Sequence, residues 1–414
     1  MVSGLKKLIL FIFLLLAAAG NTLTGQVVPV VPSDTIGISS FNKAQKDLPD
    51  YINLLLKKKT EVKIDTAKKK SLGPFYSPFP YIGYTMVTGA VVGFTQNISF
   101  YSHRSDDAKI SSILINDVYS QYHQYINIVN SNLWLHNDKF NLEGDWRYYK
   151  FPTNTFGLGS KTSLNDADAV DYSHLRIYET IMGKIAGNLT GGIGYNLDYH
   201  WNLKEINQSP DNITMLDKYG LKQTSTSSGF TINLQFDNRL NANNPSKGTY
   251  INFQLRNNLQ AMGSNANWQS LVFDARYYIK TSEETGNVLA FWSYNWITVS
   301  GAPPYFDLPS TGMDTYNNTG RGYVESRFRG LDLAYAEAEY RFRLTKNGLL
   351  GGVVFANAST VSEWPGDEYE KINPGTGFGL RIKMNKQSNS NLCVDYGIGT
   401  GGSRGFSFNL NEVF

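Results

Sequence analysis

Residues 303–344 read PPYFDLPSTGMDTYNNTGRGYVESRFRGLDLAYAEAEYRFRL, a long polar, Gly-rich loop running straight into an alternating strand. From Asp332 to Leu344 one face carries Ala334, Ala336, Ala338, Tyr340, Phe342 and Leu344. The other carries Tyr335, Glu337, Glu339, Arg341 and Arg343. Period-two alternation marks a strand with two unlike faces. A face with four charges opposite a wholly apolar one suits a wall between lipid and a polar lumen. A soluble sandwich, with its apolar face in a core, gives the same alternation.

Working outward, the chain from Phe75 on reads as about sixteen strands. They fall near 81–84, 90–100, 108–119, 121–134, 138–149, 171–185, 189–202, 230–237, 248–261, 266–281, 287–299, 332–344, 348–360, 373–385, 390–400 and 404–414. Most are long enough to cross a bilayer at a tilt. Short turns alternate with long polar loops at 150–170 and 203–226. Charge recurs on one face only, as with Asp237 and Arg239, Asp274 and Arg276, and Arg381 and Lys383. The last strand carries Phe406, Phe408 and Leu410 on one face and is expected to run on to Phe414.

Composition fits this pattern. The chain has 414 residues, 14% of them aromatic, with 38 Gly and only 18% charged. Aromatic girdles and polar interiors give membrane barrels such a profile. The net charge of +3 offers no case for a nucleic-acid partner. The one cysteine, Cys393, has no partner for an intramolecular disulfide or a metal-ligand pair. No zinc-ligand spacing, Gly-x-Ser-x-Gly elbow or phosphate-binding loop appears, so the expectation is no enzyme, no cofactor and no metal site. Asp166, Asp168 and Asp171 read as a solvated acidic loop, with a calcium loop as the alternative.

Lys6 and Lys7, the apolar run Leu8–Leu16 and the small residues Ala17–Ala19 read as a secretory signal peptide within 1–25. No other run reaches about 18 apolar residues. An exported chain without a helical span is either soluble or a closed barrel, since a lipid-exposed strand edge leaves backbone groups unpaired. The segment 26–74 is short and basic, with nine Lys against four acids in 41–70. It reads as a solvated periplasmic tail or, alternatively, as a plug or docking helix.

Three stretches together resemble the bacterial surface antigen family, the BamA/TamA-type outer-membrane barrels. They are the loop motif Arg321-Gly322-Tyr323 with Arg327 and Arg329-Gly330, the Asp237–Gly248 turn DNRLNANNPSKG, and the terminal Phe414. The resemblance covers 75–414 and implies an all-β transmembrane antiparallel barrel with a long loop folded inward before strand 12. It implies that Arg321 reaches the lumen and pairs with Glu339 and, where the family has an acid, with the amide of Asn357. The family's periplasmic transport-associated repeats do not fit within 26–74.

The expected location is the bacterial outer membrane, and the expected work is insertion or transport of outer-membrane components. Expected partners are outer-membrane lipid and other outer-membrane proteins or an assembly complex. A passive pore and a structural barrel scaffolding a partner stand as alternatives. Gly83, Gly89, Gly405 and Phe414 mark an expected weak lateral seam between first and last strands, because Gly weakens strand interiors.

Overall fold

In the computed structural model, the described residues are 46–48, 50 and 72–414, apart from 86, 105–107, 207–213, 221, 240, 283 and 386–388. The expected signal peptide and most of the basic segment lie outside them. Lys46 donates its backbone N–H to Asn347 O at 3.0 Å, against a turn at the short-turn end of the barrel.

Sixteen long strands follow one another, each antiparallel to the next. They are β1 (Phe75–Thr85), β2 (Gly89–Tyr101), β3 (Ile110–Ser120), β4 (Tyr125–Leu135), β5 (Phe140–Lys150), β6 (Asp168–Ala186), β7 (Leu189–Glu205) and β8 (Ser225–Asp237). Then come β9 (Gly248–Asn258), β10 (Trp268–Lys280), β11 (Val288–Ser300), β12 (Asp332–Arg343), β13 (Leu350–Glu363), β14 (Asn373–Asn385), β15 (Ser390–Gly399) and β16 (Arg404–Leu410). Every sequential pair from β1–β2 to β15–β16 has a hydrogen-bonded register. β1 and β16 lie side by side, but no register joins them among the described residues. The sheet is therefore a nearly closed barrel with one unladdered seam.

The pleat sorts the residues as the alternation dictates. On β12, Leu333, Tyr335, Glu337, Glu339 and Arg341 are buried inward, and Ala334, Ala336, Ala338 and Tyr340 face out. Ile232 and Leu234 on β8, Phe378 and Leu380 on β14, and Phe406, Phe408 and Leu410 on β16 are exposed on the outer face. An apolar exterior around a charged interior is what lipid on one side and a polar lumen on the other require.

Three elements depart most from expectation. β1 runs Phe75–Thr85 rather than 81–84. β8 begins at Ser225 rather than near 230, because the hydroxyl-rich Ser225–Ser228 run, which reads as loop, satisfies its side chains within the wall. Ser227 donates to Asp307 and Ser228 pairs with Tyr195. The last strand stops at Leu410, not Phe414. Asn411 takes a φ of 76° and turns the chain off the sheet, and Val413 and Phe414 become buried in the lumen. There Phe414 gains a ring partner in Trp292, 5.1 Å between centroids, instead of lipid.

The lumen is packed rather than open. One buried cluster gathers Tyr278, Trp292, Phe328, Tyr335, Val361 and Phe414. A second, toward the long-loop end, gathers Tyr149, Tyr172, Leu203, Tyr305, Phe306 and Leu216. Leu216 belongs to α1 (Met215–Tyr219), a single turn capped by Thr214 in the loop after β7.

Candidate functional site

The loop 301–331 between β11 and β12 fills the lumen as a hairpin. Its two arms are tied by Thr311 N to Phe328 O at 3.0 Å, Ser326 N to Thr311 O at 2.7 Å and Gly330 N to Pro309 O at 3.0 Å. At its tip Asp314 Oδ1 accepts from the backbone of Asn318 and Thr319 at 2.9 and 2.7 Å, curling 314–319 into a turn. These local bonds stand in for a sheet ladder and satisfy the buried backbone groups they engage.

Arg321 leaves that turn and points at the β12–β15 wall. Its guanidinium contacts Glu337, reaches Glu339 Oε2 at 2.5 Å and Asp395 Oδ2 at 2.9 Å, and lies 3.7 Å from the centroid of the Phe355 ring. All three carboxylates are buried. Asn357 is close, but it does not accept from the guanidinium as expected. Its Nδ2 donates to the Arg321 backbone carbonyl at 3.0 Å. The acid absent at 357 is supplied from two strands further on, by Asp395 of β15. Glu337 shares the inward face with Glu339, a spacing already visible in the alternation.

Gly322 explains the motif's glycine. It has a φ of 100°, and a Cβ there would lie 2.9 Å from Ile398 N. From the other side, a Cβ on Gly397 would lie 2.5 Å from Gly322 N. Loop and wall thus meet backbone to backbone, which only residues without a Cβ allow. Tyr323 then donates its hydroxyl to Pro374 O at 2.6 Å and accepts from Thr400 N at 2.8 Å.

Arg327 donates to Thr162 Oγ1 at 2.7 Å and stacks over Phe156 and Phe328. Arg329 donates to Tyr305 O at 2.9 Å, and its backbone carbonyl accepts from Gly159 N at 2.7 Å. Ser160 is held by Glu363 through both its backbone N–H and its hydroxyl, each at 2.7 Å. The loop after β5 therefore reaches over the inward loop to the far wall at β13.

The opposite wall grips the loop as well. Arg147 donates to Thr315 O at 2.7 Å and to Asn317 Oδ1 at 3.1 Å. Asp307 accepts from Ser227 Oγ at 2.5 Å, and His200 Nδ1 faces it at 3.8 Å. Burial, then the nearby Asp198 carboxylate, push the Asp307 carboxyl up to about 7, against the pull of Arg256. The seated loop thus keeps a proton that a released loop gives up. Seating is strongest near pH 4 and weakens as pH rises to about 7, where the effect levels off. Protease clipping of 301–331 is expected to rise across that window, and Asp307→Asn to reduce the rise, the remainder resting on Glu325 of the same loop, whose carboxyl burial likewise pushes up to about 7. A slope unchanged by that substitution would assign the effect to other groups.

The chain's own end completes the filling. Glu412 is bound by Arg381 Nε at 2.8 Å and Asn391 Nδ2 at 2.6 Å, with Arg341 Nε at 3.6 Å. Burial alone would raise its carboxyl, but Arg381 and Arg341 outweigh burial and hold it down at about 2. Asn318 of the loop donates to Val413 O at 2.7 Å, and Arg341 donates to the main-chain oxygen of Phe414 at 2.8 Å. The turn 238–247 closes beneath, with Glu412 N donating to Asn243 O and Arg341 to Pro245 O.

Of the expected seam residues, Gly83 lies within β1, Gly89 opens β2 and Gly405 lies in β16 opposite Gly397. Phe414 has left the seam for the lumen. Among the described residues no cluster of His, Cys, Asp or Glu is arranged to hold a metal. The arrangement is mechanical: one hairpin pinned to the β12–β15 wall by buried ion pairs and a close backbone contact, and to the opposite wall by hydrogen bonds.

This architecture has relatives. The barrel of BamA from Haemophilus ducreyi, in a form lacking POTRA domains 1–3, superposes with a TM-score of 0.56 at 14% identity, over 83% of this chain and 71% of that one. CdiB from Acinetobacter baumannii superposes with a TM-score of 0.53 at 14% identity, over 83% and 61%. CdiB from Escherichia coli gives 0.52 at 8% identity, over 81% and 59%. The chain thus spans about three fifths of either CdiB. No curated relative matches it in sequence. The family model described as the Omp85 superfamily domain matches residues 110–414, from β3 to the final phenylalanine. The chain belongs to the Omp85 superfamily.

Proposed function

We propose that the protein resides in the bacterial outer membrane and assists insertion or translocation of other outer-membrane components, with β1 and β16 as the place of entry. The observation that carries this reading is the seam. Two adjacent strands expose edge groups that no ladder pairs, in a surrounding where unpaired backbone polar groups are costly. Such an edge accepts an added strand readily. The packed lumen argues against a passive pore, because ions would have to pass the hairpin pinned by Arg321 and Arg147.

On this reading the mature chain starts after the signal peptide, and the basic segment and short turns face the periplasm. Partners are outer-membrane lipid and the incoming chains. Depleting the protein and quantifying the outer-membrane proteome tests this. The expected result is a fall in a defined set of other barrels, which would identify the clients. An unchanged proteome would reject the assembly reading and favour a scaffold.

A further inference from the structure

The outer wall is apolar over most of its circumference, and one acid interrupts it. Glu179 lies on the outward face of β6, between Ile177 and Ile181. The hydrogen-bonded registers place it in one row with Ile98, Ile113, Ser131, Gly144 and Tyr195. The row toward the long loops holds Ile115, Val129, Trp146, Ile177 and Leu197, and the row on the other side holds Leu133, Leu142, Ile181 and Ile193. Glu179 therefore stands at mid-wall, inside the apolar band.

Its surroundings leave the carboxylate half served. Gly144 faces it across the ladder, and a Cβ there would lie 2.5 Å from Ser131 Oγ and 2.9 Å from Glu179 Oε1, so both side chains settle over bare backbone. Trp146 Nε1 donates to Glu179 Oε1 at 2.8 Å, while Glu179 Oε2 has no partner among the described residues. Asp117 on β3 is the contrast. Close to the long-loop end of its strand, it accepts from Asn127 Nδ2 at 2.6 Å and from the Tyr125 hydroxyl at 3.1 Å.

An ionisable side chain at mid-membrane depth is costly and calls for a partner. Acyl chains offer no donor. A second copy of this chain offers none at this depth either. Among the described residues, the outward faces of the strands carry Lys or Arg only near strand ends, as at Lys150, Lys204 and Arg404. A two-fold contact through this face would also bring Glu179 toward its own copy.

We propose that the outward sector of β4–β6 around Glu179 is an interface within the membrane for a different outer-membrane protein, whose wall presents a lysine or arginine to the Glu179 carboxylate. The cation supplies the donor that the carboxylate lacks, and water is excluded around the pair, which strengthens it. Ile177, Ile181 and Ile193 pack against the partner's apolar wall. The proposal rests on the outer-membrane location given above, not on the assembly role.

The first test uses dicyclohexylcarbodiimide, a lipid-soluble reagent for carboxyl groups that face the bilayer, with peptide mass spectrometry reading Glu179. The pure full chain in phosphatidylcholine vesicles is expected to be labelled there. In native outer membranes labelling is expected to fall at least about tenfold, because the partner covers the acid. Equal labelling in both settings overturns the proposal, since lipid then covers the wall. So does an absence of labelling in the vesicles, which would mean that the barrel or a second copy shields the acid.

Charge is read separately. On native gels of gently solubilised membranes the chain is expected above its monomer position. Glu179→Gln, which keeps the shape and removes the charge, is expected to reduce that band at least about tenfold. Ile181→Leu is the control and leaves it unchanged. Both variants are expected to keep the heat-modifiable mobility of a folded barrel. Glu179→Gln is also expected to raise the urea midpoint of the pure chain in vesicles, because it takes a charge off the lipid face. A band of unchanged strength in Glu179→Gln overturns the cation pairing, and a lowered midpoint would make Glu179 a structural residue of the wall. A lost band with an unchanged proteome on depletion would keep the interface and discard the assembly reading. A fall in other barrels with Glu179 unprotected would do the reverse.

Discussion

Arg321→Ala is expected to free the inward loop and to destabilise the barrel by about 3–5 kcal/mol, the cost typical of removing one partner from a buried ion pair. The size follows from what is left behind rather than from the strength of the pair. Glu337, Glu339 and Asp395 converge on one guanidinium, and their side chains are almost wholly shielded. Without Arg321, Arg381 still pairs with Asp395 and Arg341 with Glu339, while Glu337 keeps only the Tyr335 hydroxyl. The urea midpoint of the heat-modifiable band is expected to fall, and protease sites in 301–331 to open. Adding Glu337→Gln is expected to recover part of the loss, since it removes the charge left without a cation. A midpoint that does not move would show that Arg321 does not hold the loop.

The second large effect is expected at Gly397→Val. Valine suits a strand, so intrinsic preference predicts a neutral or stabilised β15. The close approach of Gly322 predicts the opposite. A side chain at 397 would start 2.5 Å from Gly322 N and 3.0 Å from the Arg321 carbonyl carbon. Neither backbone can yield without lifting the motif off the wall, and overpacking of this kind costs roughly 1–3 kcal/mol before any contact is lost. The loop is expected to leave the lumen while the barrel stays folded, so a planar bilayer should record a long-lived open current in place of a closed or flickering one. Gly83→Val is the control. A Cβ there meets only Val91 Cγ2 at 3.3 Å, and it should leave the current as it is. If Gly397→Val conducts no more than the unaltered chain, the backbone contact does not seat the loop.

These two positions also mark where reading the chain succeeded and where it failed. The wall of β12 was legible residue by residue. Alternation alone separates Glu337, Glu339 and Arg341 from Ala334, Ala336 and Ala338, because the pleat has a period of two whatever surrounds it. The barrel, its sixteen strands and the arginine of the inward loop follow from such local patterns and from a motif resemblance. The strand glycines Gly83, Gly89 and Gly405 read as marks of a weak seam. Nothing local distinguishes a glycine that softens a strand from one that makes room for another backbone, and Gly397 is the second kind. The seam reading of Phe414 failed for a related reason. Phe406, Phe408 and Phe414 share a parity, but parity holds only while the strand lasts, and Asn411 ends it.

Alternation and turn chemistry are properties of neighbouring residues, so the sequence by itself determined the strands and their two unlike faces, and the motif resemblance pointed to a lumen rather than a sandwich. Partners far apart in the chain are chosen by closure of the sheet. Only the tertiary structure decided that Asp395 and not residue 357 supplies the third acid to Arg321, that Arg147 grips the loop from the opposite wall, and that Glu412 lies between Arg381 and Arg341. Each of these contacts joins residues tens to hundreds of positions apart or crosses from one strand to another. Their geometry exists only once sixteen strands have curled around a common axis and brought their inward faces within reach of one hairpin.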